Sequence, residues 1–271
     1  MDKLLKYSLS SILLLCILFS NCKKAEKIEQ EADENTLLTQ RKSYYQGSRY
    51  RQEYSDKLIS IDSTNAEYYQ GKSMAHTKIG DYHIAFPLLE KAYSLDKKEI
   101  GYYYGWLLLY YYRDYERAIA RLNEYDDLTP NEPDFCWGEH INFLKGLCYK
   151  QMKDYDNAIN EFNTLINYEG EHVDVYGYVY RGISHLRLEN YKMAIEDFDV
   201  AIKIYPNCSM AYFYKGLTYQ KLGFPKLAKE AYFTAKDLLE RGYIHRESYH
   251  EVFDAISVAM VDDYINNLDQ I

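Results

Sequence analysis

The chain has 271 residues, 47% apolar and 27% charged, with a net charge of −9. That composition fits one large packed domain or an elongated array and excludes wholesale disorder. The acidic balance argues against nucleic acid as a partner, because phosphate binding needs a concentrated basic face. The 32 tyrosines carry large apolar bodies with wet tips, which suits half-buried surfaces and contact faces.

The chain begins "MDKLLKYSLSSILLLCILFSNC". Lys3 and Lys6 precede an apolar run from Ile12 to Phe19, then Ser20 and Asn21 lead to Cys22. The run is too short to span a bilayer permanently and has the shape of a secretory signal over residues 1–21. The ending "LFSNC" resembles the lipobox of bacterial lipoproteins. That resemblance implies cleavage before Cys22, lipid on its thiol, attachment to a membrane through that lipid, and a place in the bacterial cell envelope. Lys23 after the cysteine implies, by the same resemblance, an outer-membrane lipoprotein facing the periplasm or the cell surface. The plain alternative is one uncleaved anchor helix.

Residues 22–42 are highly charged and poor in apolar side chains, so they read as a tether, about 25 Å long on average as a coil. Residues 43–65 end in "DKLISIDSTN", which reads as a degenerate leading helix.

From residue 66 the chain repeats itself. Ala85, Ala118, Ala158, Ala194 and Ala228 are spaced 33, 40, 36 and 34 residues apart. Gly146, Gly182 and Gly216 each stand twelve residues before one of these alanines. Tyr82, Tyr115, Tyr155 and Tyr191 stand three residues before, and Leu89, Leu122, Phe162, Phe198 and Tyr232 four after. A period near 34 residues with these positions in step resembles the tetratricopeptide repeat (TPR) family over 66–241. The resemblance implies an all-α, right-handed α-solenoid of about five helix hairpins. The small residues mark where the two helices of a hairpin meet, and the residue four past the alanine faces inward. The turns "GDY", "RDY", "KDY" and "ENY" place Asp or Asn to cap the second helix, and Pro225 fits a first helical turn.

Two departures stand out. Ser73 and Trp106 replace the glycine in the first two units, with Gly105 one residue before Trp106. The 40-residue interval contains an insertion, residues 131–140, read as a surface loop or a contact site. The run "GYYYGWLLLYYY" (101–112) is apolar all round, so it is either enclosed by its neighbours or partly faces a partner. In the tail, Val252, Ala255, Ile256, Ala259 and Met260 fall on one helical stripe, which predicts a capping helix within 242–271.

No catalytic motif is present: no Gly-rich phosphate loop, no GxSxG, no HExxH. His245 and His250, five apart, make a poor metal pair on a helix. No enzyme, cofactor or metal site is expected. Cys148 reads as a small core hydrophobe; a bridge between Cys136 and Cys208 stays open. By the TPR resemblance, a concave groove is lined by the first helix of each hairpin. On this sequence it takes Tyr103, Tyr110, Tyr111, Phe143, Tyr176 and Phe213, with Lys78, Lys150, Arg187 and Lys221. Aromatic and basic side chains in an acidic protein suit a protein or peptide partner with apolar anchors and carboxylates. A carbohydrate- or small-ligand-binding lipoprotein is the alternative. The Lys-and-Asn clamp of some family members is absent, since its positions read Gln70 and Met74, Tyr103 and Leu107, Phe143 and Leu147.

Overall fold

The repeat alanines are each wholly buried, and each belongs to the second helix of a hairpin. A computed structural model describes residues 34–130, 135–136 and 138–268. The predicted signal, Cys22, the tether up to residue 33, and residues 131–134 and Trp137 of the insertion lie outside the described residues. The chain divides into two units, Met1–Ile100 and Gly101–Ile271.

In the first unit, α1 (Glu34–Lys42) pairs with α2 (Arg49–Ile61), and α3 (Ala66–Lys78) with α4 (Tyr82–Leu95). Here the tether expectation needs correction, because residues 34–42 are helical. One leucine suffices: Leu37 is buried with Leu58 and Tyr68, flanked by Leu38, Tyr54 and Ile59. Composition hides such an anchor. Ser48 caps α2, accepting from the Arg51 amide at 3.2 Å. Ser73, standing where the glycine belongs, is fully buried.

The second unit begins within α5 (Lys97–Leu107). A π-helical turn, Leu108–Tyr112, extends it, and α6 (Tyr115–Leu128) follows. Next come a two-residue ladder, β1 (Phe135–Cys136) with β2 (Glu139–His140), then α7 (Ile141–Gln151) and α8 (Tyr155–Glu169). The hairpins α9 (Val175–Arg187)/α10 (Tyr191–Ile204) and α11 (Ser209–Lys221)/α12 (Pro225–Glu240) complete the repeats. In this unit α6 packs on α7, α8 on α9 and α10 on α11, and the first helices α7, α9 and α11 neighbour one another. They therefore form a continuous face.

The glycines are places of close approach. A Cβ on Gly146 would lie 2.6 Å from the Phe162 ring, on Gly182 2.7 Å from Phe198, and on Gly216 2.8 Å from Tyr232. Gly105 does the same against Leu122 at 2.6 Å. It stands thirteen residues before Ala118 instead of twelve. The π turn accounts for the extra residue, since it winds one more residue into a turn than an α-helix does.

Asp114 and Asp154 cap α6 and α8, accepting from the amides of Arg117 and Asn157. Asp81 and Asn190 make no such side-chain bond. Pro225 opens α12. The predicted tail helix is shorter than expected: α13 covers only Val258–Leu268. Val252, Ala255 and Ile256 precede it. The Ser257 side chain accepts from the Met260 amide and starts the helix there. Val261, Ile265 and Leu268 are its buried stripe, against α12.

Candidate functional site

The face of the second unit is built from the first helices, and the chain's own residues 243–257 lie on it. This segment contains neither helix nor strand. Its main chain is held by side chains of the helices. The Tyr111 hydroxyl donates to the Tyr249 carbonyl, Tyr180 to Phe253 at 3.1 Å, and Tyr214 to Asp254 at 2.9 Å. Ser209 donates to the Tyr243 carbonyl at 2.7 Å.

Its side chains are also held. His245 stacks on Tyr176 at 3.4 Å between ring centroids, and His250 on Tyr110 at 3.6 Å. Phe253 stacks on Tyr110 at 5.7 Å, and the Arg113 guanidinium lies 4.5 Å from its ring. The Asp254 carboxylate pairs with Lys150. Lys150 is buried, which lowers its ammonium pKa, while Asp254 pulls the other way. Removing one partner of such a buried pair leaves the other group uncompensated, at a cost of roughly 3–5 kcal/mol.

The aromatic run 101–112 is enclosed. Tyr102, Tyr103, Tyr104, Trp106 and Tyr110 are all buried. The end of the insertion covers them through Glu139. Its carbonyl accepts from Tyr102 at 2.6 Å, and its carboxylate from Trp106 Nε1 at 2.6 Å and Tyr110 at 2.7 Å. Burial pushes the Glu139 carboxyl upward against those two donors, and pushes the Tyr110 hydroxyl well above its usual value.

Between the segment and the helices lies a cavity of about 110 Å³. Phe143, Tyr176 and Tyr180 give it aromatic walls, and Glu139, Asp174 and Glu247 give it carboxyl groups. Among the described residues, no group of three or more His, Cys, Asp or Glu side chains could hold a metal ion. No described helix is long and apolar enough to cross a membrane.

Four of the ten predicted groove residues are therefore taken up by this segment. Tyr110, Lys150 and Tyr176 lie beneath the chain's own segment, and Tyr111 holds its main chain. Phe213 is a correction: it is fully buried among Tyr214, Tyr232 and Tyr264, a core ring with no contact surface. Tyr103 is buried as well, stacked on Trp106 at 6.4 Å. Phe143 is half-buried, while Arg187 and Lys221 are exposed. Lys78 is half-buried in the first unit. Cys148 and Cys208 are buried free thiols. The residues that sequence reasoning missed are Glu139, Tyr180, Tyr214 and Asp254. Glu139 was signalled only by the insertion.

Segments of the chain match a family described as tetratricopeptide repeat, at residues 66–99, 139–172 and 175–208. The chain thus carries tetratricopeptide repeats. Serine/threonine-protein phosphatase 5 of Rattus norvegicus is 24% identical over 152 residues, which are 56% of this chain and 27% of that protein. A TPR repeat-containing protein of Methanocaldococcus jannaschii is 27% identical, over 65% of this chain and 39% of that one. The chain therefore spans well under half the length of these curated relatives. Among solved structures, MamA from Desulfovibrio magneticus RS-1 aligns with a TM-score of 0.57 at 20% identity, over 65% of this chain and 96% of that one. Yeast Tom70 aligns at 0.54 and 16% identity, over 88% and 46%. At such identities the likeness speaks for the fold.

Proposed function

We propose that this protein is a non-enzymatic scaffold of the bacterial cell envelope, anchored through lipid on Cys22, that binds a protein or peptide partner. The partner site is the face formed by the first helices of the second unit. One observation carries the reading: tyrosine hydroxyls on that face already grip a main chain outside any helix or strand by its carbonyls, at a bend and a turn. Main-chain bonding combined with side-chain pockets is a recurring way of recognising peptides. Arg187 and Lys221, exposed at the ends of α9 and α11, suit carboxylates on such a partner.

The test is photo-crosslinking in cells from either of those two positions, followed by mass spectrometry. The expected result is a discrete protein adduct that disappears when Tyr180 and Tyr214 are both changed to Phe. Adducts unaffected by that change would overturn the reading. Metabolic labelling with a fatty-acid analogue tests the anchor, and Cys22→Ala should abolish it. The aromatic walls and carboxyl groups of the cavity favour a second reading, a carbohydrate or small ligand. Binding on a glycan array without any protein adduct would select it.

A further inference from the structure

We infer that residues 243–257 are a resident, displaceable occupant of the partner face, and that the face selects a non-helical segment in which an aromatic residue directly precedes a carboxylate at a turn. The inference rests on the scaffold reading above and deepens it.

Two kinds of contact hold the segment, and they divide the work. The hydroxyls of Tyr111, Tyr180 and Tyr214 donate to carbonyl oxygens of the segment. Any residue type offers a carbonyl, so these bonds accept a main chain of that path without reading its sequence. Selectivity falls on Phe253 and Asp254. The Phe253 ring, 5% exposed, sits among Tyr110, Tyr115 and the Arg113 guanidinium. Next to it Lys150 awaits a carboxylate. Its side chain is 4% exposed, so a neutral residue at that point would strand a buried charge. An aromatic residue followed by Asp or Glu satisfies both sites together.

The resident segment has few buried apolar anchors for its length. Ile244 and Tyr249 are exposed, and only Phe253 and Ile256 are buried apolar anchors. Asp254 itself adopts φ 52°, a left-handed conformation that Asp takes more readily than most L-residues. A foreign segment that offers the same pair of side chains at a like turn would occupy the same contacts. The resident's advantage is covalent attachment, which gives it an effective concentration in the millimolar range. Displacing it therefore requires a partner present at high local concentration or making further contacts beyond this face.

The probe is a fluorescent peptide of residues 243–257, titrated into full-length protein and followed by anisotropy. Unaltered protein should bind it weakly, because the site is filled in cis. Phe253→Ser in the full-length chain leaves the ion-pair residues in place and should bind the peptide at least tenfold more tightly. Phe253→Ser/Asp254→Asn should bind tighter still. Circular dichroism and a melting curve establish that each variant is folded, and hydrogen exchange over 249–254 should speed up in both. A peptide with Asn in place of its aspartate should lose at least tenfold in affinity. Equal affinity of all proteins, or no binding to a folded variant, overturns the inference. So does exchange of the segment between two copies, seen as a dimer by light scattering, since the occupant would then be this chain itself. Peptide binding with no cellular adduct would sink the scaffold reading alone; an adduct with no peptide binding would sink this one alone.

Discussion

At the residue scale, the repeat is a set of side chains chosen for size. Gly182 is the clearest case, since a methyl group there would press on the Phe198 ring, 2.7 Å from its Cβ. In an unpacked helix, Gly→Ala stabilises by about 1 kcal/mol. Here overpacking opposes it by roughly 1–3 kcal/mol. Gly182→Ala should therefore lower the melting temperature, and Phe198→Leu should reduce the damage in the same chain. A raised melting temperature in Gly182→Ala alone would mean that the helices are not held apart by this contact. Lys150 and Asp254 obey a different rule. Removing one partner leaves a buried charge and should cost about 3–5 kcal/mol, whereas Lys150→Met/Asp254→Leu should cost much less than the two single losses added. Denaturant melts of the four chains measure the coupling.

At the element scale, the hairpin turn repeats as strictly as the helices. Gly80, Arg113, Lys153, Glu189 and Gly223 all adopt positive φ, between 54° and 83°. Each stands five residues before its repeat alanine. The turn demands a left-handed residue there, which glycine supplies without strain. At Glu189, an exposed side chain at φ 61°, the left-handed conformation costs roughly 1–2 kcal/mol, and glycine's greater unfolded freedom takes back about half. Glu189→Gly should stabilise the chain by about 0.5–1 kcal/mol, visible as a shifted urea midpoint at constant slope. A destabilised variant would show that the glutamate side chain does something the backbone does not reveal.

The turn also shows what was legible. The alanines, glycines and inward rings repeat in the sequence because their contacts are made within one hairpin and recur in each unit. The helices followed from that spacing. The left-handed position did not, because charged residues occupy it three times in five. The helix at 34–42 was missed because Leu37 is nearly alone as an anchor among charges. Residues 243–257 were drawn into a helix because their apolar side chains happened to fit a stripe. An irregular segment has no period of its own, and its bonds reach far along the chain: Tyr111 and Tyr249 are 138 residues apart. Nothing local in the sequence marks such a pairing.

At the scale of the whole molecule, the net charge of −9 says little about acid stability, because the decisive groups cluster beside the face, Glu139 and His245 largely shielded from water and Glu247 more open. His245 lies on Tyr176 and faces Glu247 at 3.4 Å, with His250 near enough to repel its charged form. Burial first, and His250 second, push its pKa down from 6.5 to about 4. The unfolded chain takes up a proton near pH 6.5 that the folded chain refuses until about pH 4. The unfolded state thus binds more protons across that window, and stability falls as pH falls through it. Glu139 and Glu247 act in the opposite direction. Burial raises both, so each is protonated in the folded protein before it is in the unfolded one, and acidification favours the fold. The two effects overlap in any melt of the unaltered protein. His245→Phe separates them, because it keeps a ring on Tyr176 and removes only the histidine proton. Between pH 6.5 and 5 the unaltered chain should lose about 2 kcal/mol more than the variant, at about 1.4 kcal/mol per proton and pH unit. Hydrogen exchange in residues 243–257 should accelerate over the same window, more steeply in the unaltered chain, because His250, also lowered by burial, remains in the variant. Stability curves that stay parallel from pH 7 to 5 would mean that His245 takes its proton in place, without loosening the segment that carries it.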